Sequence, residues 1–167
     1  DLADRTVQPY QFLDFLSGGL SRHFVRDRAS LESRLAECDL APGPDGRFRI
    51  NNFFCYADSW QAVLPGLVGE RNIVLMDLRS FSAANAGCIH ELRFLVQEVP
   101  LDRCVLVIDE STDAHFLERT LQEAAARLPA GSLNEGQLTL EPTLHRLGAG
   151  RKAVHGLMRR LCNAAEP

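Results

Sequence analysis

The chain has 167 residues, 46% of them hydrophobic and 24% charged, a balance that lets one globular domain bury a substantial core. Its net charge of -4 argues against broad nucleic-acid binding, which depends on cationic neutralisation of phosphates. No apolar run approaches the roughly 20 residues that cross a bilayer and no signal pattern opens the sequence, so a soluble segment without membrane contact of its own is expected.

The sequence begins at Asp1 and not at Met. We therefore expect a piece of a larger protein with elements upstream, where any membrane attachment of the full-length protein would lie outside this segment. Five cysteines (Cys38, Cys55, Cys88, Cys104 and Cys162) are scattered and form no C-x-x-C pair, which fits neither a zinc site nor a disulfide framework. Free thiols in largely apolar surroundings suit a reducing compartment, and a cytoplasmic location is the expectation.

In chain order, Pro9 to Leu16 and Ala29 to Cys38 read as helical, and Gly19 to Val25 is ambiguous between strand and helix. Asp39 to Gly46 is a loop ending in the turn Pro44-Asp45-Gly46, and Arg47 to Cys55 follows as a strand. Asp58 or Ser59 caps a helix with Trp60, Val63, Leu64, Leu67 and Val68 at helical spacing. Asn72 to Leu78 is a continuous apolar run, as a strand covered on both faces requires. A helix from about Asn85 to Glu98 comes next, then a buried strand from Arg103 to Ile108. Ser111 or Thr112 starts a helix through Leu128 that turns Phe116, Leu117, Leu121 and Leu128 inward. Gln137 to Glu141 is a weaker strand, and Arg151 to Cys162 a closing helix. Its basic residues Arg151, Lys152, Arg159 and Arg160 read as a solvated face. Strand alternating with helix over short connections predicts a single α/β domain of flavodoxin-like, three-layer type with a mostly parallel sheet, its core at residues 47–164.

One stretch asks for more than packing. In Asp77-Leu78-Arg79-Ser80-Phe81-Ser82-Ala83-Ala84-Asn85-Ala86-Gly87-Cys88-Ile89-His90-Glu91-Leu92 an apolar strand runs into a polar loop and a helix start. That is where open parallel sheets bind ligands, outside the C-terminal strand ends and beside outward-pointing helix N–H groups. At about 100° per residue, Cys88, Leu92, Leu95, Val96 and Val99 form one apolar stripe, and Glu91 falls on its margin. A capping box would need Ser or Thr at position 88, where Cys stands. Partial burial of Glu91 beside Asp77 would raise one carboxyl pKa or draw in a ligand hydroxyl.

Ser80 and Ser82 followed by Cys88-Ile89-His90-Glu91-Leu92 resemble the serine-bearing loop and Cys-x-x-Glu-Leu motif of the TIR (Toll/interleukin-1 receptor) superfamily, over roughly residues 47 to 164. That resemblance implies a signalling or defence domain that binds a nucleotide, with Glu91 as the catalytic carboxylate of an NAD nucleosidase. NAD would be substrate, with no separate cofactor. Asp77, Gly87 and Glu91 are similar to the array of nucleoside 2-deoxyribosyltransferases, which also attack an N-glycosidic bond with a glutamate. Both imply a carboxylate set against an oxocarbenium-like ribose centre. Asp77 would then share the catalytic site. Arg79, Ser80, Ser82, Asn85 and Gly87 would contact ribose or phosphate. Trp60 reads first as a core residue, with stacking on a base as its functional alternative. The family also implies homotypic association, and the alternative to an enzyme is a non-catalytic self-association domain; a nucleoside N-glycosidase or deoxyribosyltransferase is a third reading.

Other signals are weaker. Gly148-Ala149-Gly150-Arg151-Lys152-Ala153 has the G-x-G-x-x-A form but follows the weakest strand, so a tight turn is expected. His90-Glu91 is not followed by the second His of H-E-x-x-H, since that position is Phe94, and no G-x-S-x-G elbow exists. The remaining histidines have no ligand spacing, and no metal site is expected.

Overall fold

A computed structural model describes residues 24–48, 50–57, 59–68, 72–135, 142–148 and 150–165. The expectations for Pro9 to Leu16 and for Gln137 to Glu141 lie outside these residues. The chain divides into two compact units, residues 1–67 and 68–167, each described by itself. Among the described residues no helix is long and apolar enough to cross a membrane.

In the first unit β1 (Phe24–Val25) pairs in parallel with β2 (Phe54–Cys55). Among the described residues of Arg47 to Cys55, read as one strand, only the last two form it, and Phe48 and Ile50 stand exposed. Helix α1 (Arg28–Ala36) is started by Asp27, whose carboxylate accepts from the Ser30 N–H at 2.8 Å while Ser30 Oγ accepts from the Asp27 N–H at 3.1 Å. Helix α2 (Trp60–Leu67) contributes Val63 to a small core with Val25 and Leu31. A Cβ on Gly66 would lie 2.5 Å from Leu31 Cδ2, so this glycine lets α2 sit close against α1.

The second unit holds β3 (Val74–Asp77), β4 (Cys104–Ile108) and β5 (Thr143–Arg146) in that order, all parallel. Met76, Leu106 and Leu144 are in register, as are Asp77, Val107 and His145. Registered residues share a face and neighbours along a strand alternate. Met76, Cys104, Leu106 and Ile108 therefore point one way, into a core closed by Leu92, Leu95 and Val96 of α3 (Ala86–Glu98) and by Leu117 and Ala124 of α4 (Ala114–Ala125). The opposite face bears Val105, Val107 and His145. Helix α5 (Arg151–Ala165) covers it, and a Cβ on its Gly156 would sit 3.4 Å from the His145 ring. Helices on both faces of a parallel sheet make this unit a flavodoxin-like αβα arrangement, the expected fold class. All five residues of β4 are buried, as its uninterrupted apolar run requires.

Most boundaries follow local chemistry. The stripe from Cys88 to Val99 faces the core as its spacing demands, and Pro100 stops α3. Helix α4 begins later than read: Asp113, not Ser111 or Thr112, is its cap, accepting from the Phe116 N–H at 3.0 Å. The Thr112 hydroxyl instead donates to the Leu78 carbonyl at 3.0 Å.

Candidate functional site

The loops after β3 and β4 are stitched into one polar rim. Phe81 is buried against Phe116, ring centroids 5.5 Å apart, and anchors the first loop. The Asp113 N–H donates to the Phe81 carbonyl at 2.9 Å. Ser80 holds φ +61°, the one non-glycine residue with positive φ among those described. That conformation costs an L-residue about 1–2 kcal/mol. Ser111 offsets the cost, its Oγ accepting from the Ser80 N–H at 2.9 Å and lying 3.0 Å from Ser80 Oγ.

Asp77 ends β3 with its carboxylate gripped by Arg79. Nε lies 2.9 and 3.1 Å from the two oxygens, Nη2 lies 2.6 Å from Oδ2, and the Arg79 N–H donates to Oδ1 at 3.1 Å. The Arg79 hydrogen bonds hold the Asp77 carboxyl below the usual range despite some desolvation. Asp109, at the end of β4, is likewise lowered, first by the Ser111 hydroxyl and more weakly by Arg79. Ser82 and Asn85 serve each other: the Asn85 amide oxygen accepts from the Ser82 N–H at 2.9 Å and from its hydroxyl at 3.0 Å. Asn85 is thus the N-cap residue of α3 by position, but its side chain makes no capping bond.

Glu91 is half-buried on α3 and has no hydrogen-bond or ion-pair partner among the described residues. Burial pushes its carboxyl pKa up, with His90 opposing. The expectation that Asp77 would drive such a shift is corrected. Asp77 is committed to Arg79, and by strand alternation it turns to the sheet face opposite Met76, while Glu91 stands on a helix covering the Met76 face. Burial pushes the Cys88 thiol pKa up, helped by the negative charge of Glu91 and more weakly by that of Asp77. Gly87 is exposed with open space where a Cβ would stand. Nothing in its surroundings demands glycine.

Trp60 belongs to the first unit, half-buried at the start of α2. That unit has its own open cleft of about 380 Å³ at the C-terminal ends of β1 and β2, lined by Arg26, Tyr56, Ser59 and Ala62. The Arg26 guanidinium lies 5.6 Å from the Tyr56 ring centroid and donates to the phenol oxygen at 3.4 Å. Ser59 is buried and donates to the Val25 carbonyl at 2.8 Å.

Sequence reasoning missed Asp109 and Ser111, although Asp109 follows β4 much as Asp77 ends β3, and an Asp-x-Ser step after an apolar run was the available signal. It also missed the cleft, whose two strands are each only two residues long. The glycine loop directly follows β5 and opens α5, with Gly150 at φ +90°. Among the described residues no three or more His, Cys, Asp or Glu gather as a metal site would need. No protein-family model, no curated protein and no solved structure matches the chain.

Proposed function

We propose that the second unit is a TIR-like nucleotide-binding module that hydrolyses NAD at the nicotinamide N-glycosidic bond, with Glu91 as the catalytic carboxylate. The supporting observation is the carboxyl group of Glu91, half-buried and without a hydrogen-bond or ion-pair partner among the described residues, its ionised form disfavoured by burial. A desolvated anion without a partner is stabilised by a cation placed against it. The C1′ centre of the ribose becomes such a cation as its bond to nicotinamide breaks and the base departs with the electron pair. Water then adds to C1′ and releases a proton, and Glu91 stabilises the centre in between. Arg79, Ser80, Ser82, Asn85 and Gly87 would line the rim against ribose or phosphate, with Asp77, ionised by its pairing with Arg79, holding that guanidinium in place. The test is free nicotinamide released from NAD by purified protein across a range of protein concentrations, with Glu91→Gln as control. Release that falls at least ~100-fold in the variant is expected from loss of such a carboxylate. Absence of product at every concentration overturns the reading.

A second reading, a non-catalytic self-association domain, is favoured by the rim itself. The pairs Asp77–Arg79, Ser80–Ser111 and Ser82–Asn85 already satisfy one another. This reading expects no change in melting temperature with NAD and oligomerisation that Glu91→Gln leaves untouched.

A further inference from the structure

Charge is distributed unevenly over the two faces of the second unit. Helix α5 carries four basic residues and no acidic one between positions 151 and 165. Lys152, Arg159 and Arg160 are exposed, and none pairs with a described acid. Beside them Val154 and Met158, one turn apart, remain 55% and 54% exposed. The helix thus covers the sheet with one side and offers solvent a second apolar strip edged with cations. Across the sheet, the segment from Asp109 to Glu123 holds five acids and a single base, Arg119, a formal charge of -4 against +4 on α5. Glu110, Asp113, Glu118 and Glu123 are all exposed there, and of these only Glu123 has an ion-pair partner among the described residues, Arg93 at 3.4 Å.

We propose that a second copy of this chain docks the acidic surface of its β4–α4 loop and α4 onto the basic, partly apolar outward face of α5. This deepens the self-association reading by naming the two surfaces, and it holds whether or not the chain cleaves NAD. A two-fold contact that paired α4 with α5 twice over would need both on one side of the sheet, and they lie on opposite faces, so the contact is head-to-tail. Because α4 and α5 lie on opposite faces of one sheet, each bound copy leaves a free acidic face at one end and a free basic face at the other. Further copies can therefore add at either free face, and assembly grows with concentration and weakens with salt. Val154 and Met158 are buried in it against the aliphatic stems of Glu118 and Gln122.

The experiment uses the full chain and two double variants, Arg159→Glu with Arg160→Glu, and Glu110→Lys with Glu118→Lys, with folding checked by circular dichroism. Sedimentation velocity over a protein dilution series, at ~0.05 M and ~0.5 M salt, reads the association. The expected result is concentration-dependent growth of the wild type that is reduced at high salt, and at least tenfold weaker association of each variant alone, on the order of 1.4 kcal/mol. Mixing the two variants restores association, because each reversed face then meets its complement. Association that both variants retain overturns these surfaces but leaves self-association standing. A wild type monomeric at every concentration overturns both. Flotation of monomeric protein with vesicles of anionic phospholipid, lost on reversing Arg159 and Arg160, overturns the proposal in favour of a lipid surface.

Discussion

Asn134 gives the sharpest test of how the second unit is held together. Its side chain is fully buried, and its amide nitrogen donates to the Val96 and Val99 carbonyls at 2.7 and 2.8 Å. Its amide oxygen accepts from the Leu101 N–H at 3.2 Å. One side chain from the loop after α4 therefore closes the end of α3 and fixes the turn into β4. The last carbonyls of a helix have no partner within it, so the Asn134 amide takes the place of a cap. Asn134→Ala strands two acceptors and one donor away from bulk water. Each buried orphan costs about 1–3 kcal/mol, and water entering the vacated space recovers part of it, which leaves about 3–5 kcal/mol. A domain stable by about 5–15 kcal/mol would lose about a fifth or more of its margin. Asn134→Asp should cost more at neutral pH, because it removes both N–H donors and turns a negative charge toward two carbonyl oxygens. Urea unfolding at unchanged m-value measures both. A loss under about 1 kcal/mol for the alanine variant would mean that the three bonds do not hold this junction, and the reasoning would fail.

Two further predictions concern titrating groups. Glu91 has a folded-state pKa raised above its ordinary 4.5, so the folded state binds the proton more tightly than the unfolded chain. Stability should therefore fall as pH rises from near 4.5 through the folded pKa and level off above it. Glu91→Gln should remove that fall and be more stable than wild type at neutral pH, the advantage fading toward acid; denaturant midpoints across pH decide, and parallel profiles would refute it. Burial, with a smaller push from Asp102, raises the Cys104 thiol to about 12, whereas Cys162 is exposed. In native protein at mild alkaline pH a thiol reagent should modify Cys162 promptly and Cys104 only on unfolding; peptide mass analysis showing early modification of Cys104 would contradict its burial.

Much of the second unit could be read from local pattern. The spacing of Cys88, Leu92, Leu95, Val96 and Val99 names a core-facing stripe whatever it packs against, and the apolar run Cys104 to Ile108 fits a central strand alone. Glu91 stood on the margin of that stripe in the sequence and is half-buried in the fold. The reading failed where several residues offered the same local chemistry. Ser111, Thr112 and Asp113 are all good helix caps, but the first two hydroxyls are taken by Ser80 and by the Leu78 carbonyl, which leaves Asp113. Arg47 to Asn52 has the composition of a strand, yet among the described pairings only Phe54 and Cys55 find a neighbour to bond.

Between Asn72 and Ala125 the sequence by itself determined the order of helices and strands, because periodicity acts over a few residues; it did not name β5 at Thr143–Arg146, and Leu75 stands exposed on the β3 face expected to be covered. Tertiary structure alone decided what each polar group of the rim does. Ser80 and Ser111 lie 31 residues apart, and only the pairing of β3 with β4 brings their hydroxyls together. Even the short Asp77–Arg79 pair, which spacing would allow in any turn, takes effect only where packing has fixed the backbone between them. A side chain's partner, and with it its charge and reactivity, is set by neighbours that the chain supplies from elsewhere.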